Sequence, residues 1–236
     1  MLPLEPLGGA GAPTGREQAP NVSDATPTPA DLTAAITARY ATLASACGSL
    51  SCGAALDLAE PTPGETVVDL GCGRGRDVLR AAERVGPAGL AVGVDVSEEM
   101  LAEAARRTAC AANVRLVHSP MAPLALPDRS ADAVVSNCAI NHAPDKAAVF
   151  REIHRVLRAG GRFVVSDVIA ERELPESVRR DPAAWAACYG GAIPEADYLA
   201  AVRGAGLDGL TVLHRSAPYD KGGVRVLSLT LRGVRP

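Results

Sequence analysis

The chain has 236 residues, 47% hydrophobic and 22% charged, with 24 Lys and Arg against 27 Asp and Glu for a formal net charge of −3. That length suits one domain with an added arm, and the balance suits a chain that buries a real core. A slightly acidic chain with no long run of one sign and 3% aromatics excludes a surface built for nucleic-acid phosphates, stacked bases or an anionic membrane.

Residues 1–30 hold six prolines and four glycines and little apolar content, which predicts a mobile tail. Residues 31–60 are expected to form a helix over 32–46, N-capped by Asp31 with Ile36, Tyr40 and Leu43 on one face, and then a connector containing Cys47 and Cys52. From Thr66 the chain alternates. TVVDL reads as a buried strand, GCGRGRDVLRAAERVG as a turn into a helix, LAVGVDV as the second strand, and SEEMLAEAARRTA as a helix capped by Ser97. VRLVHS and ADAVVSN are the third and fourth strands, DKAAVFREIHRVLRAGG a helix closed by Gly160 and Gly161, and RFVVSDVI the fifth strand. A helical region over 176–205 is interrupted near Gly190-Gly191-Ala192-Ile193-Pro194. LTVLHRS and VRVLSLTL, joined by a Pro/Asp/Gly-rich turn, read as an antiparallel pair. Apolar, β-branched strands alternating with helices predict one doubly wound α/β domain over 61–236.

The segment VVDLGCGRGRD joins the first strand to the first helix of that domain. Gly71, Gly73 and Gly75 permit a tight turn and close approach to a ligand at a helix N-terminus. A dinucleotide fingerprint would need a glycine at 76, where this chain has Arg76. Asp69, two residues before the first glycine, would repel a pyrophosphate and suits the amino group of a cationic ligand. Asp95 closes the second strand, where a carboxylate can accept both hydroxyls of a ribose. Together these point to S-adenosylmethionine and not to NAD.

With these residues the chain resembles the class I S-adenosylmethionine-dependent methyltransferases over about 64–170. The resemblance implies a Rossmann-like, seven-stranded, mostly parallel doubly wound sheet with an antiparallel last strand. It also implies a cofactor site of Asp69, Gly71, Gly73, Arg76, Asp95, Val96 and Asn137, with Met121 and Ala122 framing the adenine.

Six cysteines with no secretory signal ahead of them are expected to be thiols in a cytoplasmic protein. Cys72, inside the glycine loop, and Cys110, in an Ala-rich run, read as packing residues. Cys138 follows Ser136-Asn137 at the carboxyl end of the fourth strand, where substrates sit in such sheets. The run SNCAINHAPDKAAVFREIHRVLRAGGRF and the later WAACYGGAIPEADYLAAVRGAGL are similar to the arsenite methyltransferases, over roughly 36–210. In that family a cysteine after Ser-Asn, a second just before Gly-Gly-Ala and a third in a Cys-Gly segment bind arsenic. The matching positions are Cys138, Cys188 and Cys52, with Cys47 a rival for the third.

The chemistry agrees with that resemblance. As(III) is soft and thiophilic, and three sulfurs leave its lone pair unshared. That lone pair can attack a sulfonium methyl group with no proton to remove, so alignment and exclusion of water are the enzyme's work. Of the four histidines only His142 lies near the acceptor cysteines in sequence; it could tune thiolate charge or face water. The resemblance implies arsenic detoxification, a thiol reductant (glutathione or thioredoxin) as co-substrate, and a small-molecule arsenical as partner. Neither nucleic acid nor membrane is expected, nor more than a monomer or weak dimer. Few aromatics and no acid/base pair near the fourth strand weigh against the alternative, a methyltransferase for a quinone or natural product.

Overall fold

The computed structural model describes residues 27–43 and 54–236. Its first helix, α1 (Pro29–Leu43), begins two residues inside the segment expected to be tail and is not capped by Asp31. The Thr28 backbone N–H and hydroxyl donate to the Asp31 carboxylate at 2.8 and 2.7 Å, and the Asp31 N–H returns to the Thr28 hydroxyl at 3.2 Å. This reciprocal pair makes Thr28 the cap and Asp31 its partner three residues on. The rest of the predicted helix, 44–46, lies outside the described residues, as do Cys47 and Cys52.

The domain proper runs α2 (Ala55–Ala59), β1 (Thr66–Leu70), α3 (Arg76–Val85), β2 (Leu90–Asp95), α4 (Glu98–Thr108), β3 (Val114–His118), β4 (Ala131–Asn137), α5 (Lys146–Val156) and β5 (Leu157–Ala170). It continues through α6 (Glu176–Arg179), α7 (Pro182–Ala186), α8 (Glu195–Gly204), β6 (Asp208–Arg215), β7 (Tyr219–Lys221) and β8 (Val224–Val234). A turn of 3-10 helix, Ile140–His142, lies between β4 and α5.

The sheet order is β3-β2-β1-β4-β5-β8-β6. β1 to β5 pair in parallel, and β8 inserts antiparallel between β5 and β6. This is the doubly wound, mostly parallel α/β sheet expected, with the reversed last strand. It holds eight strands among the described residues and not seven, because the turn before β8 itself pairs with β8 as β7. The helix expected to close at Gly160-Gly161 ends at Val156. Gly160 adopts φ +75°, and Gly160 and Gly161 pair with Arg235, so these residues belong to β5.

Successive strand residues fill opposite faces. Val68, Val134 and Val165 pack with Phe150 and Ile153 of α5 and Tyr198 of α8. Val67, Val135 and Val164 pack with Leu56 of α2 and Val78 and Val85 of α3. Each such buried side chain stabilises the fold by about 2 kcal/mol. The order reverses between β1 and β4, which opens a crevice at their carboxyl ends. No helix among the described residues is long and apolar enough to cross a membrane.

Candidate functional site

The turn after β1 is built from glycines in the left-handed region: φ is +71° at Gly71, +52° at Gly73 and +71° at Gly75. A side chain at Gly71 would collide with the Ala139 methyl, and one at Gly75 would come within 2.8 Å of Ala104. A Cβ at Gly73 would meet nothing within 4 Å. The loop is pinned to β2, since the Gly71 and Cys72 N–H groups donate to the Val94 carbonyl at 2.8 and 3.0 Å.

Asp95 ties the loop to α4. Its carboxylate accepts from the Gly73 N–H at 2.8 Å and the Ser97 N–H at 3.0 Å. Ser97 caps α4 by accepting from the Met100 N–H, as its sequence predicts. Asp69 and Asp95 come together with Asp77 of α3. Burial pushes the Asp69 carboxyl well above its ordinary range, and the neighbouring carboxylates Asp77 and Asp95 push the same way. Asp95 is also raised by burial, with the Ser97 and Gly73 N–H groups opposing. A buried acidic cluster of this kind is matched by a cationic ligand.

Above these residues lies a cleft of about 1110 Å³. All eleven predicted site residues that the structure describes line it: Asp69, Gly71, Gly73, Arg76, Asp95, Val96, Met121, Ala122, Asn137, Cys138 and Cys188. Asn137 also braces the scaffold, accepting from the Ala55 N–H at 3.3 Å and donating to Asp77 at 3.1 Å. Cys72 is buried beneath the loop, where burial and Asp69 raise its thiol well above the usual range, as suits packing. Cys110, expected to be buried, is exposed: the second helix of the alternating unit stops at Thr108, and the chain turns outward.

The cysteine end of the cleft holds the feature least legible in the sequence. Cys138 has φ +56° and Cys188 φ +66°. Left-handed backbone is strained for any residue with a Cβ and recurs at functional sites. Both conformations are held by hydrogen bonds, from the Cys138 N–H to the Ser166 carbonyl at 2.8 Å and from the Cys188 N–H to the Trp185 carbonyl at 2.9 Å. The glycines after Cys188 have a steric reason. A Cβ at Gly190 would run into Trp185, and one at Gly191 into the Asn141 carbonyl.

The phrase after Cys138 joins the two cysteine loops. Asn141, fully buried, donates to the Val168 carbonyl and, at 3.5 Å, to the Cys188 carbonyl. Asp145 caps α5 by accepting from the Ala148 N–H at 2.8 Å. Lys146, 5% exposed, donates to the Ala143 carbonyl and sits 5.6 Å from the centre of the Trp185 ring. Burial lowers its ammonium to about 8, against the pull of Asp167 and Asp145.

Sequence reasoning left His142 undecided and read Tyr40 only as a face of a helix. In the structure the Tyr40 hydroxyl is 3.2 Å from Cys188 Sγ and 3.1 Å from His142 Nε2, and Cys188 Sγ is 3.2 Å from the same Nε2. Burial drives His142 down to about 4, with the Trp185 carbonyl opposing. The ring is therefore neutral at physiological pH. The contact joins positions 102 and 148 residues apart, so no local pattern could announce it. Glu99 and Arg107 of α4 also line the cleft without having been singled out. Among the described residues, no three His, Cys, Asp or Glu side chains are grouped to hold a metal ion.

The sequence profile of the methyltransferase domain family matches residues 61–216. Over 174 residues, 73% of this chain, it is 39% identical to the arsenite methyltransferase of Halobacterium salinarum, covering 44% of that protein. It is also 40% identical over 125 residues to nocamycin O-methyltransferase of Saccharothrix syringae, covering 51% of this chain and 44% of that one. The chain thus spans less than half the length of these two curated relatives. Its structure superposes with a TM-score of 0.66 and 32% identity on CrArsM, an arsenic(III) S-adenosylmethionine methyltransferase from Chlamydomonas reinhardtii, covering 84% of this chain and 72% of that one.

Proposed function

The chain belongs to the arsenite methyltransferase family of methyltransferase domains, and from that premise we propose that it methylates a thiolate-bound trivalent arsenical. The observation that carries the reading is the joint placement of Cys138 and Cys188 in the cleft that Asp69 and Asp95 also line.

When bound, S-adenosylmethionine supplies an electrophilic methyl group on a sulfonium sulfur. Asp69 would receive the ligand's ammonium group, which would relieve the mutual repulsion of the buried carboxylates. Asp95 would accept the ribose hydroxyls with the lone pairs its two backbone donors leave. Met121 and Ala122 would frame the adenine, and the loop from Gly71 to Arg76 would hold the methionine part. Cys138 and Cys188 hold the arsenical through two As–S bonds, and the strained turns that carry them fix the direction in which the arsenic lone pair points. No general base is needed, because the attacking atom carries no proton. The reading gives the third sulfur to Cys52, with Cys47 as its rival. With two thiols alone, the site suits a monomethylated arsenical better than inorganic arsenite. The reading includes a thiol reductant of the glutathione or thioredoxin kind, a cytoplasmic setting and a monomer or weak dimer.

The test is arsenic speciation after incubation with arsenite, a thiol reductant and S-adenosylmethionine, with S-adenosylhomocysteine counted alongside. Methylated arsenic equal to S-adenosylhomocysteine is expected. Cys138→Ser and Cys188→Ser should each cut it by about 100-fold or more, since even outer partners of a metal ligand are worth about 10- to 100-fold. Undiminished methylation in both variants would overturn the reading. The likeness to an O-methyltransferase favours a second reading, an organic acceptor. Cofactor binding with no methylated arsenic would select it.

A further inference from the structure

The sulfur of Cys188 sits in a closed triangle of polar atoms, with the Tyr40 hydroxyl at 3.2 Å, His142 Nε2 at 3.2 Å and those two 3.1 Å from each other. The Tyr40 and His142 rings meet edge to face, 5.4 Å between centres at 86°. The three groups come from different parts of the chain. Tyr40 lies in the last turn of α1, His142 ends the 3-10 turn that follows Cys138, and Cys188 follows α7. α1 packs against α4, α7 and that 3-10 turn, and Leu32 and Ile36, on the same face as Tyr40, are buried. α1 therefore lies over the cleft with its tyrosine against the acceptor sulfur.

We propose that Tyr40 and His142 are positioning residues for the acceptor, holding the Cys188 thiol in the cleft that Cys138 lines and anchoring α1 across it. The proposal rests on the arsenical reading above. In the unloaded site the thiol, the phenol and the neutral imidazole exchange hydrogen bonds around the triangle, and Nε2 can present either a lone pair or an N–H to the sulfur. Loading replaces one As–O bond with an As–S bond, and the thiol proton leaves with the oxygen as water, so no electrons change hands. The sulfur then has no proton to donate and only accepts. The Tyr40 hydroxyl and the Nε2–H tautomer of the His142 ring are the two donors that satisfy it, so both side chains hold the loaded sulfur. The His142 ring is held by its Nε2 contacts, by its edge-to-face packing on Tyr40 and by the Trp185 backbone beside it.

The chain contains one tryptophan, and Trp185 accepts the Cys188 N–H and packs on the glycines that follow it. Its fluorescence reports arsenite binding with no turnover. The full chain would be titrated with arsenite in a wild-type form and as Tyr40→Phe, His142→Leu, His142→Gln and Cys188→Ser. Affinity for S-adenosylmethionine would be measured in parallel by calorimetry.

Tyr40→Phe and His142→Leu should each weaken arsenite binding by about tenfold, the scale of a lost hydrogen bond to a buried partner, and leave cofactor affinity within about twofold. His142→Gln, which keeps a side-chain hydrogen-bonding group, should recover most of the loss. Tyr40→Phe keeps the ring and its packing, so it decides the matter alone if His142→Leu does not fold. Arsenite binding equal to wild type in Tyr40→Phe and in the folded His142 variants would overturn the positioning role, and so would a matching loss of cofactor affinity. A wild-type protein that does not respond to arsenite, or a response that survives in Cys188→Ser, would instead bring down the arsenical reading itself.

Discussion

A cysteine is a poor choice for left-handed backbone, yet Cys138 and Cys188 both adopt it. Glycine, with no Cβ, would avoid a cost of about 1–2 kcal/mol at either place. Retaining cysteine there is understandable if the thiol is needed and the turn is needed to aim it. The strain can be measured. Cys188→Gly should be more stable than Cys188→Ala by about 1 kcal/mol in denaturant melts, with both inactive. The same order should hold at 138, and alanine equal to or above glycine at both would show the turns to be unstrained. No sequence rule flags such a residue, because positive φ is expected of Gly and Asn. Cys138 and Cys188 stand out in the sequence by their phrases, and their geometry does not.

Elements with strong local signals were legible: the β-branched strands, the glycine turn and the Ser97 cap. Those decided by partners far away were not. Gly160 and Gly161 read as a helix stop, but pairing with Arg235 makes them part of β5. The Thr28–Asp31 pair was missed because the proline-rich composition around it argued for tail. That pair now makes α1 testable as an element. Thr28→Ala should cost the helix about 1 kcal/mol, about a fivefold faster local opening. Amide hydrogen exchange over 32–43 should accelerate while exchange in β1 and β4 stays as in wild type. Unchanged exchange in α1 would mean that tertiary packing, and not the cap, holds it.

Over the whole molecule, the buried acids set a pH dependence. Asp69 and Asp95 titrate above their ordinary value of 3.8 in the fold. A carboxyl raised by folding contributes stability that is present below its unfolded value and lost as pH rises through the folded one. The ligand-free protein should therefore lose stability upward from about pH 4 on their account. Asp69→Asn should melt higher than wild type at pH 7.5, with the gap closing at pH 4, while S-adenosylmethionine binding falls away. Calorimetric melts at the two pH values check this, and an Asp69→Asn protein less stable than wild type at pH 7.5 would refute it. The parallel, doubly wound character of the sheet was readable from alternation, while the strand order and the place where it reverses are seen only in the structure. The acid cluster was readable only in part, since Asp77 joins it from α3 and looks like an ordinary helix-start acid in the sequence.

The collision that awaits any side chain at Gly71 comes from Ala139, the residue after Cys138. The turn that would hold the methyl donor and the turn that would hold the acceptor are therefore meshed, one methyl deep, like two gear teeth. A foreign acceptor loop grafted here would have to keep the backbone at 139 where it is, because its Cβ already fills the space that the missing side chain of Gly71 leaves. Donor and acceptor turns would have to be transplanted together.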